Sequence, residues 1–248
     1  MAGLLSRLFG KDAAKTMSPA EREFPPIAVD RPFAAIGDVH GCDDLLGRLL
    51  DKLADEAPDA ELVFVGDYID RGAQSAKVLR RLMELDGASF LLGNHERMFM
   101  EFIDDPEGKG ARWLDYGGVQ TLAAFGVSGS INDPSGLRDD VAEAMGGDMI
   151  EWIKKLALTY ANGNVFAVHA AAHPEEPVNE QTEDVLIWGH PKFGNQARQD
   201  GFWVVHGHTI VDAPQVSQGI VSIDTGAYAT GCLSAAIFDG RGVTFMQS

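Results

Sequence analysis

The chain contains six residues with metal-ligating side chains, each inside a short polar motif. They are Asp38 and His40 in GDVHG, Asp67 in GDYIDRG, Asn94 in GNHE, His169 in VHA and His208 in GHT. Carboxylate, amide and imidazole groups together suit manganese, iron or zinc better than calcium. Two such ions about 3.5–4 Å apart would clamp a phosphate group and acidify a bridging water, so that hydroxide attacks phosphorus in line. These residues therefore predict a phosphoesterase with two divalent ions, manganese being the expected metal and iron or zinc the alternatives.

The first three motifs are the specific part of this pattern. With average residue usage, each of GDVHG, GDYIDRG and GNHE should occur by chance on the order of 10⁻³ times or fewer in a chain of this length. Aspartate and asparagine at strand ends often only cap helices, and a single motif would favour that role. Three ordered motifs with spaced histidines favour metal ligands. His169 and His208 lie in weaker motifs, where a hydrogen-bonded core histidine is the competing interpretation.

Each motif directly follows a short apolar run that is typical of a buried strand. The runs are residues 33–36, 62–65, 89–92, 164–168 and 202–205. Amphipathic helical patterns separate the first three runs, which predicts βαβ units with parallel strands. Open α/β sheets place their sites at the carboxyl ends of such strands. We therefore expect five motifs that are distant in sequence to meet along one edge of the sheet.

The length and composition predict one folded domain. The chain has 248 residues, of which 45% are hydrophobic, and the domain is expected to cover residues 27–248. Residues 1–26 are predicted to form a flexible N-terminal arm. Residues 98–158 lack strand patterns and predict a mainly helical insertion. From residue 216 onward, apolar runs between glycine-rich turns predict antiparallel strands.

The charge and the cysteines limit the expected partners and location. A formal net charge of −17 repels nucleic acid, anionic membrane and phosphoprotein alike, so any phosphate must be captured locally. No apolar run approaches the ~20 residues that span a bilayer, and we expect neither a nucleic-acid partner nor stable membrane insertion. Two cysteines, Cys42 and Cys232, fit a reducing cytoplasmic location, with one disulfide as the alternative. The oligomeric state stays open.

Several other residues are expected to have structural roles. His206, two residues before His208, is expected to serve the structure and not the site. The tryptophans lie in apolar surroundings, where core packing is the default interpretation over substrate stacking. They are Trp113, Trp152, Trp188 and Trp203.

The quoted motifs, from GDVHG to GHT, resemble those of the phosphoprotein phosphatase family of dinuclear calcineurin-like metallophosphoesterases, in its bacterial and phage-type form. The resemblance covers roughly residues 33–245. It implies an α/β fold: a sandwich of two mixed β-sheets flanked by helices, with βαβ units and with the metals at the sheet edge.

The resemblance also implies a role for each ligand. Asp38 and His40 would hold the first metal, and Asp67 would bridge both metals. Asn94, His169 and His208 would complete the second site. The two ions would then share one carboxylate.

Further residues beside the ligands would have catalytic roles by the same resemblance. His95 would be the general acid that protonates the leaving group, with Asp70 as its orienting partner. Arg71 would bind the phosphoryl oxygens, together with Asn94. General acid catalysis of this kind contributes typically about 10²–10⁴ in rate.

The chain departs from the family pattern at two places. The family usually has glycine after HA, whereas alanine occupies residues 170–172 here. Bacterial relatives often have a second phosphate-binding arginine where this chain has His190. A neutral imidazole offers one donor, against the bidentate fork of a guanidinium. We expect either that His190 takes over the phosphate contact or that Lys192 or Arg198 does, and a different substrate is the further explanation.

These observations leave three functions open. The first is a serine/threonine protein phosphatase acting on a phosphorylated protein or peptide, which Asp70 and Glu96 favour because the rival enzymes commonly lack the former and have GNHD. The second is a symmetrical hydrolase of dinucleoside polyphosphates such as diadenosine tetraphosphate. The third is a slow metal-binding regulatory protein, which the histidine at position 190 motivates and the retained acid argues against.

Overall fold

The computed structural model describes residues 24–248 of the chain. Two five-stranded mixed sheets pack face to face, and helices cover their outer sides, which confirms the predicted α/β sandwich. The strands in chain order are β1 (Phe33–Ile36), β2 (Glu61–Phe64), β3 (Ser89–Phe90), β4 (Thr159–Asn162), β5 (Val165–Val168), β6 (Trp203–His206), β7 (Gln215–Ser217), β8 (Ile220–Ser222), β9 (Ser234–Asp239) and β10 (Gly242–Gln247). The α-helices are α1 (Asp43–Glu56), α2 (Ser75–Met83), α3 (Asn94–Asp104), α4 (Val119–Ala124), α5 (Pro134–Met145), α6 (Gly147–Lys154), α7 (Glu183–Trp188) and α8 (Ala227–Thr230).

The sheet topology agrees with most of the predicted pairings. The strand orders are β10-β9-β1-β2-β3 and β4-β5-β6-β8-β7. β1, β2 and β3 run parallel with α1 and α2 between them, which confirms the βαβ units. β9 and β10 pair antiparallel, as predicted. The prediction was wrong for β8, which pairs parallel with β6 as well as antiparallel with β7, because a short apolar run does not indicate the direction of its neighbour.

The core between the sheets fixes where the strands end. Val63 and Val65 from the first sheet share this core with Val165 and Val205 from the second. Phe64, between the two valines, points to the other side and packs into the core formed with the helices. Because both faces of β2 are buried, a slip of one residue would exchange the two sets, so the register is strongly specified. The residue that follows each strand is thereby held at a defined position.

The chain between β3 and β4 is helical, apart from loops and turns. A 3₁₀ turn at Lys109–Ala111 and a π-helical turn at Leu114–Gly118 lie between α3 and α4. The aromatic side chains of Phe99, Phe102 and Trp113 are buried in the same core as α1 and α2. This segment therefore packs onto the outer side of the first sheet.

The predicted N-terminal arm falls largely outside the described residues, which begin at Phe24. Phe24 packs edge-on against Trp203 with ring centroids 4.9 Å apart, and the carbonyl of Pro25 accepts a hydrogen bond from the indole of Trp203 at 2.8 Å. Cys42 and Cys232 are both free of a disulfide. Within residues 24–248, no helix combines the length and the apolar character that a bilayer crossing requires.

Candidate metal centre

The six predicted ligands meet at one edge of the sandwich. Asp38 and His40 follow β1, Asp67 follows β2, and Asn94 begins α3 just after β3. His169 and His208 follow β5 and β6 of the second sheet. Both sheets therefore contribute ligands from the carboxyl ends of their strands, as the sequence predicted.

Three of these residues have a left-handed backbone conformation, which residues other than glycine rarely adopt. The φ angles are 42° at His40, 54° at Asp67 and 62° at His208. Left-handed backbone at such residues is unfavourable and persists where the surroundings enforce it, which is common at functional sites. Here the carbonyl of Asp67 accepts hydrogen bonds from the N–H groups of Val39 and His40 at 3.1 and 2.9 Å. The two loops thus hold each other in place.

The Asp67 carboxylate lies between two groups of side chains. Its Oδ2 is 3.4 Å from Nε2 of His40, and its Oδ1 is 3.4 Å from Nε2 of His169. His40, Asp67 and His95 form one group of potential ligand atoms within 4.8 Å of one another, and Asp67, His169 and His208 form the other. One carboxylate shared by two such groups is the arrangement that a bridging ligand requires.

Hydrogen bonds set the tautomers of two histidines. Nδ1 of His40 donates to the carbonyl of Ile69 at 2.8 Å, and Nδ1 of His169 donates to the carbonyl of Val65 at 2.9 Å. Nε2 of each ring then carries the lone pair that faces Asp67. Burial lowers the pKa of His40 to about 3 and also lowers the pKa of His169. Neutral rings with a fixed tautomer are the form in which histidine binds metals.

Asn94 joins the two histidines of the second sheet. Its Oδ1 is 2.9 Å from Nε2 of His169 and 3.0 Å from Nδ1 of His208. Burial lowers the pKa of His208 to about 4, so this ring is also neutral at neutral pH. Since Nδ1 of His169 already donates to a carbonyl, its Nε2 and the Asn94 oxygen present lone pairs to each other. A cation between them would relieve that repulsion.

Asp38 provides a direct indication that the site fits cations. One oxygen of its carboxylate accepts from the backbone N–H of His208 at 2.9 Å, whereas the buried Oδ1 has no hydrogen-bond partner among the described residues. Burial and then the charges of Asp224 and Asp67 raise the pKa of Asp38 well above its usual range. A buried carboxylate oxygen without a partner is costly unless a cation compensates it. The ligand set therefore fits divalent metals.

Beside the ligands, His95 is hydrogen bonded to Asp70. Nδ1 of His95 donates to Oδ2 of Asp70 at 2.7 Å, and both side chains are fully buried. Burial lowers the pKa of His95, but the Asp67 carboxylate and the Asp70 hydrogen bond outweigh this, so the net pKa is raised. The raised pKa favours a protonated ring, which is the state that a general acid needs.

Arg71 lies next to His95 and is restrained by a residue that the sequence did not reveal. Its Nη2 is 3.3 Å from Nε2 of His95, and its Nη1 donates to the hydroxyl of Tyr228 at 2.9 Å. The guanidinium carbon is 4.9 Å from the centroid of the Tyr228 ring, which also contacts the ring of His40 edge-on. Tyr228 is partly exposed, as is Tyr116 in the turn that packs against Arg71. The Tyr228 ring thus lies against the cation that is expected to bind phosphate.

Glu96 has a structural role that removes one argument about the substrate. Its fully buried carboxylate accepts hydrogen bonds at 2.8–3.2 Å from four backbone N–H groups, those of Asp67, Tyr68, Ile69 and Gly93. The side chain holds the loop that carries Asp67, and it does so whatever the substrate is. The sequence-based preference for a protein phosphatase on the ground of Glu96 is therefore unsupported.

The structure does not bring His190 into contact with the six ligands among the residues it describes. The ring of His190 packs on His173 with centroids 4.1 Å apart, and Lys192 forms an ion pair with Glu175. The Arg198 guanidinium is bound to Asp200 and to two main-chain carbonyls, those of His173 and Glu176. A phosphate contact of His190 stays a prediction, and Arg198 is already committed to the fold.

Two further residues, His206 and Trp113, were expected from the sequence to have structural roles. His206 is buried, and its Nδ1 donates to the carbonyl of Gly207 at 2.8 Å while its Nε2 accepts from the hydroxyl of Ser222 at 2.9 Å. Trp113 is buried in the core as expected, but its indole N–H also donates to the Asp70 carboxylate at 2.9 Å. Thr121 donates to the same carboxylate at 2.7 Å. Neither partner of Asp70 lies in a recognisable motif.

Comparison with known proteins identifies a family and several relatives. A family model for calcineurin-like phosphoesterases matches residues 31–218. The asymmetrical bis(5'-nucleosyl)-tetraphosphatase PrpE of Halalkalibacterium halodurans is 26% identical over 234 residues, covering 83% of this chain and 89% of the relative. A symmetrical bis(5'-nucleosyl)-tetraphosphatase of Janthinobacterium sp. is 32% identical over 145 residues, covering 57% of this chain and 44% of the relative.

Solved structures share the fold but differ in the activities assigned to them. A structure provisionally assigned as a diadenosine tetraphosphatase aligns with a TM-score of 0.64 at 22% identity, covering 88% of this chain and 94% of the other. A cold-active protein tyrosine phosphatase of a psychrophilic Shewanella species aligns with a TM-score of 0.60 at 16% identity, covering 88% and 80%. Because a shared fold supports many functions, these likenesses show the fold alone.

Proposed function

The chain belongs to the calcineurin-like phosphoesterase family, and we propose on that basis that it is a metal-dependent hydrolase of bis(5'-nucleosyl) tetraphosphates. The observation that carries this choice of substrate is the similarity to a tetraphosphatase along 83% of the chain and 89% of that relative. This proposal replaces a serine/threonine protein phosphatase, which the sequence motifs favoured. It requires a site that handles a phosphoanhydride between two nucleosides.

The site offers what such a hydrolysis needs. Divalent ions held by the two groups that share Asp67 would supply Lewis acidity at the phosphoryl oxygens and a water acidic enough to attack phosphorus near neutral pH. The reaction forms a bond from the water oxygen to one phosphorus and breaks the bond from that phosphorus to the bridging oxygen. Arg71 would bind the equatorial oxygens, and His95 would give its Nε2 proton to the departing oxygen.

The rim of the site is suited to nucleosides. Tyr228 and Tyr116 are 39% and 55% exposed, and both belong to elements that contact Arg71. Exposed aromatic rings next to a phosphate-binding cation can stack on a base, and such stacking contributes about 1–3 kcal/mol per base in nucleic-acid complexes. Ile210, two residues after His208, adds a third exposed apolar side chain and packs near Gly226. Stacking of bases on such a rim would offset the electrostatic repulsion between this acidic protein and the phosphates of the substrate.

One specific observation favours a second candidate, a serine/threonine protein phosphatase. The 2.7 Å hydrogen bond between His95 and Asp70 prepares a general acid. An alkoxide is a poor leaving group and needs that acid, whereas a nucleotide leaves as a phosphate anion and depends less on protonation. A general acid would therefore assist hydrolysis of both substrates, but only the phosphoester requires it.

The deciding experiment compares both substrate classes on one preparation. The protein is loaded with Mn²⁺, then with Zn²⁺ or Fe²⁺, and kcat/KM is measured for diadenosine tetraphosphate and for phosphoserine, phosphothreonine and phosphotyrosine peptides. We expect the nucleotide to be preferred. Two ADP molecules indicate symmetrical cleavage, and ATP with AMP indicates asymmetrical cleavage. Asp67→Asn, which changes the shared carboxylate, should reduce turnover to background and so exclude a contaminating enzyme.

Phosphopeptide turnover above that of the nucleotide would overturn the proposal and return the protein phosphatase to first place. Activity on neither class, with metal binding intact, would support the regulatory interpretation instead. The contact predicted for His190 is tested in the same assay. His190→Ala should raise KM if the side chain reaches the phosphates and should leave it unchanged if the ring serves only to pack on His173.

A further inference from the structure

Asp70 receives more hydrogen bonds than the proposed reaction uses. The carboxylate is fully buried and is surrounded by three side-chain donors, Nδ1 of His95 at 2.7 Å, Nε1 of Trp113 at 2.9 Å and Oγ1 of Thr121 at 2.7 Å. A buried carboxylate is stable only when its lone pairs are satisfied. His95 alone would leave most of them without partners. Trp113 and Thr121 therefore hold the Asp70 carboxylate in the orientation in which it faces His95.

Thr121 holds both the side chain and the main chain of Asp70. Its hydroxyl donates to Oδ1 and accepts from the backbone N–H of Asp70 at 2.9 Å. The φ of Asp70 is 72°, in the left-handed region where residues other than glycine are uncommon. The hydroxyl of Ser75 accepts from the same N–H at 3.2 Å. Asp70 is thus fixed in orientation from its backbone outward.

Trp113 connects Asp70 to the helix that carries the acid. Its indole packs against Phe99 and Phe102 of α3, with ring centroids 5.2 and 4.9 Å apart. α3 begins at Asn94 and includes His95, so the indole and the imidazole are supported by the same helix. Both meet on the carboxylate of Asp70. The distance between acid and carboxylate is thereby set by the packing of α3.

The π-helical turn at Leu114–Gly118 fits closely against Asp70. Gly117 has a φ of 116°, and a Cβ there would lie 3.0 Å from Cβ of Asp70 and 2.8 Å from the backbone nitrogen of Arg71. A Cβ at Gly118 would lie 2.5 Å from the Trp113 ring. The turn therefore requires glycine at both positions to bring Trp113 and Thr121 onto the carboxylate. The close fit of this turn against Asp70 is an observation separate from the hydrogen bonds that Trp113 and Thr121 donate to its carboxylate.

We propose that Trp113 and Thr121 are positioning residues for His95, which act by holding the Asp70 carboxylate against Nδ1 of the imidazole. The proposal rests on the role of His95 in the proposed function. When the bond from phosphorus to the leaving oxygen breaks, that oxygen takes the Nε2 proton while the Nδ1 proton stays in the hydrogen bond to Asp70. The segment from Trp113 to Thr121, which leads into α4, thereby controls the step that a poor leaving group needs.

The first test uses two aryl phosphates that differ in their leaving groups. Phenolate is a poor leaving group and needs protonation, whereas p-nitrophenolate needs little. Trp113→Phe and Thr121→Val each remove a donor and keep most of the volume. We expect kcat for phenyl phosphate to fall about 5- to 20-fold, with less than about a 2-fold change for p-nitrophenyl phosphate, as loss of part of the general acid effect predicts. KM should stay unchanged for both.

The control and the double variant separate positioning from general damage. Trp203→Phe also removes an indole hydrogen bond, the one to Pro25 at 2.8 Å, and should leave both rates unchanged. In a His95→Asn background, Trp113→Phe should cause no further loss on phenyl phosphate, because residues that act through one group are not additive. Additive losses would mean that the indole acts elsewhere and would overturn the proposal.

A spectroscopic measurement makes the test independent of turnover. The Nδ1 proton of His95, in a short hydrogen bond to a carboxylate, should give a downfield proton resonance that moves in Trp113→Phe and Thr121→Val but stays in place in Trp203→Phe. An unmoved resonance, or equal loss on both aryl phosphates, would refute the positioning role. If the protein ignores dinucleotides but these differences appear, the substrate assignment fails while the positioning role stands.

Discussion

The Glu96 carboxylate accepts a hydrogen bond from the backbone N–H of Asp67 at 2.9 Å and so joins the first turn of α3 to the loop after β2. Each of its oxygens accepts two backbone N–H groups. In Glu96→Gln, one oxygen becomes an amide NH₂ that faces two N–H donors. We expect the free energy of unfolding, measured with urea, to fall by about 2–4 kcal/mol, since buried donors would lose their acceptor.

A variant in the same helix provides the control. Glu101 in α3 forms an exposed ion pair with Arg112 at 2.9 Å. Glu101→Gln should change the free energy of unfolding by less than about 1 kcal/mol, as is usual for such pairs. Equal effects of the two substitutions would show that Glu96 does not hold the Asp67 loop.

Tyr228→Phe tests whether the tyrosine hydroxyl prepares Arg71 for phosphate. The substitution removes the acceptor 2.9 Å from Nη1 but keeps the ring under the guanidinium. A hydrogen bond to a charged group typically contributes about 1.5–3 kcal/mol, part of which the remaining ring contact and water would replace. We expect KM to rise about 3- to 10-fold with kcat changed by less than about 2-fold, measured by steady-state kinetics at constant ionic strength. Tyr160→Phe, which loses a hydroxyl bonded to Glu61 at 3.0 Å, is the matched control. A similar rise in KM for both would point to a general effect.

The strands, and the meeting of the six candidate ligands at their carboxyl ends, could be predicted from the sequence because the information for them is local. Residues 33–36 are apolar and are followed by Gly37, Asp38 and His40, so one short stretch identifies both a strand and its polar end. Five such stretches then imply a common edge, since parallel strands align their carboxyl ends. The pairing of β8 failed because nothing in a three-residue strand indicates the direction of its partner.

The residues that support the site could not be predicted in this way. Trp113 and Thr121 lie 43 and 51 residues from Asp70 and meet it only after α3 has packed on the first sheet. Each is an ordinary core residue in its local sequence. Tyr228 is 157 residues from Arg71 and follows a strand of the second sheet. Contacts between residues this far apart in the sequence depend on the whole fold, so no local motif predicts them.

Metal binding should stabilise the folded protein. Asp38, Asp67 and Asp224 bring three carboxylates together in a buried site, and Oδ1 of Asp38 has no partner among the described residues. A metal at 100 times its dissociation constant adds about 2.7 kcal/mol. That corresponds to a rise in Tm of roughly 5–10 °C for a chain of this size. We expect this rise when Mn²⁺ is added to chelator-treated protein, measured by calorimetry.

The matched variant for this prediction is Asp38→Asn. The amide removes one negative charge from the site, so the rise in Tm with Mn²⁺ should shrink by at least half. The apo protein should lose little stability or gain some, because burial disfavours the charged carboxylate. A Tm that does not respond to Mn²⁺, Zn²⁺ or Fe²⁺ in the unaltered protein would refute the metal centre.

His206 should make the apo protein less stable in weak acid. In the folded state Nδ1 donates to the carbonyl of Gly207 and Nε2 accepts from Ser222, so a second proton on Nε2 would reverse the bond to Ser222 and bury a charge. Burial lowers the pKa of His206 to about 4, against about 6.5 in an unfolded chain. Between these pH values the unfolded state binds more protons than the folded state. The free energy of unfolding must therefore fall as the pH decreases from 6.5 to 4, by about 3 kcal/mol in total from this residue.

The measurement compares urea unfolding of the unaltered protein and His206→Gln at a series of pH values, both with chelator present. Other buried groups titrate in both proteins, so only the difference between the two profiles belongs to His206. The glutamine variant starts from a different stability because its contacts change, and that offset does not depend on pH. The unaltered protein should lose about 3 kcal/mol more than the variant as the pH falls from 6.5 to 4, and the difference should stay constant below pH 4, where the folded histidine is also protonated. Curves that run parallel over the whole range would contradict the prediction and would mean that the folded protein accommodates the protonated ring, with the Ser222 hydroxyl accepting from Nε2.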